Sequence, residues 1–282
     1  MKTILKDILV PIDFSDTSLN ALRCAVDIAR RHHATLHLFY VNDVIAYYPR
    51  IGELGTASSM ADEILEKDIY LLEKLAQSIT AGHHVDCRFH IATGNRELII
   101  REWVKERSID LTVIGMTPDI DQATYLFDTL AFKILQDAAC DVLTIPACKS
   151  GGSFARILYP VQSHGAPMAR YNLVKAIAEK SNAEVSLLSL VEKADMEMSG
   201  ILNSFAERIK SRLIDKVKRV RNRHIFTKNA AVTLTEVSRE QAADLIVIEA
   251  DTRRTVKEFF TGNFTQRMLR NPSTAVWCVK AV

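Results

Sequence analysis

Along the chain, short apolar runs alternate with stretches of helical period. Residues 8–12, 35–41, 84–91, 111–114 and 142–145 are rich in β-branched side chains or bounded by turn residues, and they predict strands. Between them, Leu65, Ile69, Leu72, Ala76 and Ile79 step by four and three, which is one face of a helix. Residues 96–107 follow the Gly94-Asn95 turn and predict a second helix. Such alternation implies right-handed βαβ units and a parallel sheet covered on both faces. A strand as apolar as Leu111-Thr112-Val113-Ile114 suits burial from both sides. The expected fold is α/β, built on a doubly wound, five-stranded parallel sheet.

The pattern occurs twice. Ile8-Leu9-Val10-Pro11-Ile12-Asp13 recurs as Ile157-Leu158-Tyr159-Pro160-Val161-Gln162, an offset of 149 that also maps Ile28-Ala29 and Ala34 onto Ile177-Ala178 and Ala183. Asp110-Leu111-Thr112-Val113-Ile114 recurs as Asp244-Leu245-Ile246-Val247-Ile248, at offset 134. That offset maps Lys133-Ile134-Leu135 onto Arg267-Met268-Leu269, and Val142-Leu143 onto Val276-Trp277. The two offsets differ by 15, so the first copy carries an addition, placed at residues 44–60. Two tandem Rossmann-like domains are expected, at 1–149 and 154–282. Residues 150–153, Ser-Gly-Gly-Ser, read as a short flexible linker by composition. The length of 282 residues fits two domains.

Composition narrows the class. Hydrophobic residues at 48% and charged residues at 25% exclude a disordered chain. No run of 18 apolar residues offers a membrane-spanning helix. Asp7 and Pro11 come too early for a signal peptide, which predicts a cytoplasmic protein. Five cysteines without a CxxC pair argue against a disulfide framework or a zinc finger. The net charge of +2 divides unevenly: residues 1–150 hold 15 Lys/Arg against 21 Asp/Glu, and residues 151–282 hold 21 against 13. The halves should therefore attract each other, and the basic one would also attract an acidic partner.

In a doubly wound sheet, ligands bind beyond the carboxyl ends of the strands, where the winding reverses. The residues there are Pro11, Ile12 and Asp13 after the first strand, Val41 after the second, and Gly115, Met116 and Thr117 after the fourth. Asp13 suits a ligand-facing role or a helix cap; Ser15 and Asp16 read as caps. Here the chain resembles the universal stress protein family, as a tandem pair. The resemblance rests on Ile8-Leu9-Val10-Pro11-Ile12-Asp13-Phe14-Ser15, on Asp110-Leu111-Thr112-Val113-Ile114-Gly115, and on the closing Lys133-Ile134-Leu135 and Cys140-Asp141-Val142-Leu143. It implies a crevice in which the Asp13 position contacts a nucleoside, with Val41 beside an adenine. Two glycines and a Gly-Ser or Gly-Thr pair would cradle a triphosphate.

Neither copy keeps that cradle. In the first, Pro118 takes the second glycine position and lacks an N–H, the helix-opening pair is Asp128-Thr129, and Asp119 and Asp121 add negative charge. In the second, Glu249 and Thr252 replace the glycines and Gln162 replaces Asp13, while the helix-opening pair survives as Gly262-Asn263. A carboxylate about 4 Å from a phosphate costs on the order of 1–4 kcal/mol. ATP is therefore disfavoured as a cofactor and none is expected. The alternative is a nucleotide-binding, weakly ATP-hydrolysing protein using the Asp13–Gly115 crevice.

The remaining signals are weaker. Residues 208–224 carry eight Lys/Arg against Asp215, with Ile209, Leu213, Val217 and Val220 at helical spacing, so a basic amphipathic helix is expected. It reads as a solvated face or an acidic-partner surface; nucleic acid is disfavoured because no aromatics interleave with the cations. His32-His33 and His83-His84 diverge too much to share a metal, and His37 reads as a partnered sheet residue. No GxSxG, Walker or HExxH motif is present, so no enzyme and no metal site is expected. The resemblance implies that the two last strands, 142–146 and 276–280, pair internally, leaving homodimerisation and an unknown protein or small-molecule partner open. The function expected is a stress-response binding or signalling module.

Overall fold

The computed structural model describes residues 5–42, 55–116, 130–137, 140–149, 151–162, 170–191, 196–250, 264–269 and 273–280. The first half runs β1 (Asp7–Ile12), α1 (Asp16–His32), β2 (Thr35–Asn42), α2 (Gly55–His83), β3 (Cys87–Thr93), α3 (Arg96–Glu106), β4 (Leu111–Met116), α4 (Leu130–Asp137) and β5 (Asp141–Pro146). The second runs β6 (Arg156–Gln162), α5 (Tyr171–Ser181), β7 (Glu184–Val191), α6 (Met196–Leu213), β8 (Arg219–Phe226), α7 (Ala230–Glu240), β9 (Leu245–Glu249), α8 (Phe264–Leu269) and β10 (Ala275–Val279).

The strands form one ten-stranded sheet in the order β3-β2-β1-β4-β5-β10-β9-β6-β7-β8. All neighbours are parallel except β5 and β10, which run antiparallel with Thr144, Leu143 and Val142 opposite Val276, Trp277 and Cys278. Ile8 and Val10 pack into the layer under α1, whereas Leu9 packs into the opposite layer with Phe132 and Val142. Each apolar layer is continuous through the β5–β10 seam, joining Ile145 to Trp277 on one face and Val142 to Cys278 on the other. Burial on both faces explains why the strand sequences are nearly all apolar. Asp141 adds polar stitches, accepting from the Trp277 indole at 3.1 Å and from the Lys280 N–H at 3.0 Å.

The repeat extends to hydrogen bonds. Asp110, just before β4, accepts from the backbone N–H groups of Lys6 and Asp7 at 2.7 and 3.1 Å. Asp244, just before β9, does the same for Ala155 and Arg156 at 3.1 and 2.9 Å. Both aspartates thus tie the edge of the first strand of each domain to the fourth. Beyond that tie the ladders are short: β1 meets β4 only at Ile8–Leu111 and Leu9–Thr112, and β6 meets β9 only at Ile157–Leu245 and Leu158–Ile246. Past these pairs the strands part, which is how a crevice arises at a switch point.

Four expectations need correction. The third strand begins at Cys87 rather than residue 84, because α2 runs to His83 and His84 turns the chain out with φ 54°. The residue 208–224 stretch is not one helix. Ile209 and Leu213 end the buried face of α6, a turn follows, and residues 219–226 form edge strand β8. Three- and four-residue spacing fits that path too, since Val217 and Val220 still pack against the same layer. The linker is held, not loose: the Gly152 N–H donates to Asp27 at 3.0 Å, and Arg31 donates to the Gly152 carbonyl at 2.8 Å. A Cβ at Gly152 would lie 2.5 Å from the Cys24 carbonyl, so the glycine serves close packing. Of the addition at 44–60, residues 55–60 belong to α2, which is 11 residues longer than α6, and residues 44–54 lie outside the described ones.

Candidate functional site

The domain 1 crevice is built on the turn after β1. Pro11 and Ile12 pair with Phe39 and Tyr40 of β2 and hold the turn in place. Asp13 then stabilises the start of α1. Its carboxylate accepts from the Ser15 N–H at 3.1 Å and the Ser15 hydroxyl at 2.5 Å. Ser15 in turn caps α1 by accepting from the Ser18 N–H at 3.2 Å. Phe14 between them sits at φ 61°, a left-handed conformation uncommon for a bulky residue. The other Asp13 oxygen meets the Arg96 guanidinium at 3.3 Å, from the first residue of α3. Burial raises the Asp13 pKa, but the hydrogen bonds from Ser15 and Ser18, with Arg96 nearby, outweigh it and leave the carboxyl below its usual range.

Gly115 is needed for packing. A Cβ there would lie 2.1 Å from the Thr17 carbonyl, so α1 rests directly on the end of β4. Val41 is buried in the layer shared with α3, its side chain in the core. Met116 ends β4 beside Pro146. Tyr40 closes the other side, its hydroxyl donating to Asp68 of α2 at 2.7 Å and its ring 5.7 Å from Phe14. Thr117, Thr129, Gly262 and Asn263, with the rest of both cradle segments, lie outside the described residues.

The corresponding corner of domain 2 is filled differently. By the same offsets, Tyr159 stands for Val10, Arg170 for Ala21, Ser189 for Tyr40 and Glu249 for Gly115. Arg170 is 1 % exposed, and its guanidinium lies over the Tyr159 ring, 5.1 Å from the centroid. None of its three nitrogens has an acceptor in good hydrogen-bond geometry, and its one polar side-chain contact of that kind among the described residues is with the Tyr159 hydroxyl. Burial lowers its pKa, while Tyr159 and Glu249 favour the charged form. Burial likewise pushes the Tyr159 hydroxyl up to about 12. Glu249 therefore does not stand alone in this crevice: a buried cation interacts with it, which offsets part of the repulsion expected from its sequence position.

A sequence model of the universal stress protein family matches residues 5–146 and again residues 153–280. The chain belongs to the universal stress protein family. A universal stress protein of Methanocaldococcus jannaschii is 25% identical over 146 residues, covering 51% of this chain and 84% of that one. The universal stress protein A homolog of Haemophilus ducreyi is 28% identical over 142 residues, covering 50% and 96%. The crystal structure of a universal stress protein from Archaeoglobus fulgidus superposes with a TM-score of 0.74 at 17% identity, covering 97% of this chain and 98% of that one.

This tandem universal stress protein holds two arginines at its crevices that sequence reading passed over. Arg96 reads as an ordinary first-turn helix residue, and only folding brings it to Asp13, 83 positions away. Arg170 reads as a surface arginine. The one signal in the sequence was its alignment, at offset 149, with Ala21 in the fully apolar face of α1. His37 is partnered within the sheet, to Asp7 and to His90, each at 3.0 Å. Among the described residues, no group of three or more His, Cys, Asp or Glu is placed to hold a metal, and no helix is long and apolar enough to cross a membrane.

Proposed function

We propose that this chain is a non-catalytic, cytoplasmic stress-response module whose nucleotide sites have degenerated in both domains, 1–149 and 154–282. The observation that carries this reading is the state of Asp13. Both its oxygens are engaged, by Ser15 and by Arg96, in bonds that also hold the start of α1. Binding a nucleoside hydroxyl there would exchange a charge-assisted bond for another of similar strength, with little net gain. The acids and proline of the domain 1 cradle, and Glu249 in domain 2, reduce phosphate affinity further. On this reading the β5–β10 pair makes the tandem an internal pseudo-dimer, with two crevices on one sheet facing an unidentified protein or small molecule.

Isothermal titration with ATP, with and without Mg²⁺, is the direct test. The expected result is no binding tighter than roughly 100 μM, about −5.5 kcal/mol. Low-micromolar binding lost in Asp13→Ala would replace this reading with that of a nucleotide-binding protein using the Asp13–Gly115 crevice.

A further inference from the structure

Domain 2 contains a polar niche that domain 1 lacks. Arg170 and Ser189 are both fully buried, and neither the Arg170 guanidinium nor the Ser189 hydroxyl has an acceptor in good hydrogen-bond geometry, the Tyr159 hydroxyl being the only described side chain that interacts with the guanidinium in that way. Ser189 lies opposite Val161 near the carboxyl end of β7, on the sheet face that carries Tyr159 and Val161. Glu249 ends β9 just past the point where β6 and β9 part. Domain 1 fills these positions with Ala21, Tyr40 and Gly115, so one large ring has given way to a small hydroxyl as an alanine has become an arginine.

Buried donors without acceptors are costly. A guanidinium stripped of water loses more than its attraction to one carboxylate returns, unless its N–H groups are also bonded. Two such groups on one face of one crevice point to a missing acceptor shared by both. An acceptor for a guanidinium fork and a hydroxyl is an oxyanion.

We propose that the β6–β9 crevice of domain 2 binds a small organic oxyanion, with Arg170 as its bidentate cation and Ser189 as a second donor. Glu249 selects within that class: its negative charge disfavours a phosphate dianion and tolerates a singly charged carboxylate. Tyr159 supplies the flat floor that keeps the guanidinium in plane. The site shares Glu249 with the degenerate cradle, but its two donors, Arg170 and Ser189, lie outside the nucleotide pattern.

The test is a titration of the full chain with acetate and, separately, inorganic phosphate at matched ionic strength, followed by NMR through the backbone N–H signals of β6 and β7, which every variant keeps. Saturable acetate binding at roughly millimolar strength, weaker for phosphate, is the expected result. Arg170→Met should abolish it, and Ser189→Ala should weaken it about fivefold, the value of one hydrogen bond. If Arg170→Met fails to fold, Ser189→Ala decides, since deleting an idle hydroxyl would leave the acetate curve unchanged. Unchanged acetate binding in either folded variant, or no saturation in the wild type, overturns the site. Phosphate binding more tightly than acetate overturns the selective role of Glu249. ATP titration tests only the cradle, so the two readings fail independently.

Discussion

The two crevices share a backbone and differ in what stands on it. In domain 1, α1 presses on Gly115 with no room for a Cβ, and the polar chemistry stays at the rim, in Asp13, Ser15 and Arg96. In domain 2, the glycine has become Glu249 and the floor has become polar, with Arg170 over Tyr159. The aspartate ties before β4 and β9, the left-handed caps at His33 and Asn182, and the two-pair ladders at the switch points are unchanged between copies. Duplication thus preserved the elements that set strand order. The residues lining the crevice changed together: where a carboxylate stands at position 249, a buried cation stands at position 170.

The largest effect should come where the two domains are joined. Trp277 is fully buried at the seam and bonds Asp141. Trp277→Ala should cost about 3–5 kcal/mol, read as a lower urea midpoint, and should split one unfolding transition into two. Retention of a single transition at an unchanged midpoint would show that the seam does not couple the domains. Gly115→Ala should come next, at about 2–3 kcal/mol, because the Thr17 carbonyl is backbone and cannot swing aside. Its counterpart tests the contrast directly. Glu249→Ala should also destabilise, by leaving Arg170 without its opposing charge, and Arg170→Met should recover part of that loss in a double-mutant cycle. No recovery would mean that Arg170 and Glu249 do not act as a pair.

Much of this architecture is legible in the sequence. Strands buried on both faces announce themselves as apolar runs, and two offsets place both copies on one pattern. Asp110 and Asp244 fell within the repeated motif, although their role as ties needed the fold. Arg170 was hidden because local pattern assigns arginines to the surface, and its burial depends on Tyr159 and Glu249, 11 and 79 positions away. The residue 208–224 stretch misled for a different reason. Four apolar positions at helical spacing are equally consistent with a helix end, a turn and a strand packing on one layer. Composition also misjudged the linker, since Gly152 provides close approach where flexibility was expected.

Acid sensitivity between pH 7.5 and 5.0 should come mainly from domain 1. Burial, with Lys180 and Arg31 nearby, lowers His32 to about 4, and burial with His37 and Arg107 nearby lowers His90 to about 4. Domain 2 has Ser181 and Arg223 at the matching positions. Both histidines are neutral when folded and take up a proton near pH 6.5 when unfolded. The stability they contribute is complete above pH 6.5 and is lost as pH falls from 6.5 towards 4. Both are partly exposed, so solvent screening reduces the effect to about 1 kcal/mol each at pH 5. The urea midpoint should fall between pH 7.5 and 5.0, and His32→Gln with His90→Gln should flatten that fall. A double variant as acid-sensitive as the wild type would place the sensitivity elsewhere.

The smallest effect on stability concerns the two ends of the sheet. Asp86, just before β3, and Arg88 and His90 within it alternate along one face, where Arg88 pairs with Asp86 at 2.8 Å and His90 packs on Trp103 at 4.7 Å. β8 places Arg219, Arg221 and Arg223 at the same positions, all exposed, with Arg223 reaching Glu240 at 3.3 Å. Exposed ion pairs contribute little, so replacing all three arginines by valine should change stability by no more than about 0.5 kcal/mol per site. Their effect should appear in association instead. An open strand edge is a template for another chain, and a row of like charges, each about 6.6 Å from the next, makes pairing with a second copy unfavourable. Arg219→Val/Arg221→Val/Arg223→Val should therefore sediment as larger species with rising concentration, whereas Arg88→Val should not, because Asp86 and His90 still break up the β3 face. Identical sedimentation of the triple variant and the wild type would show that the arginines do not guard the edge.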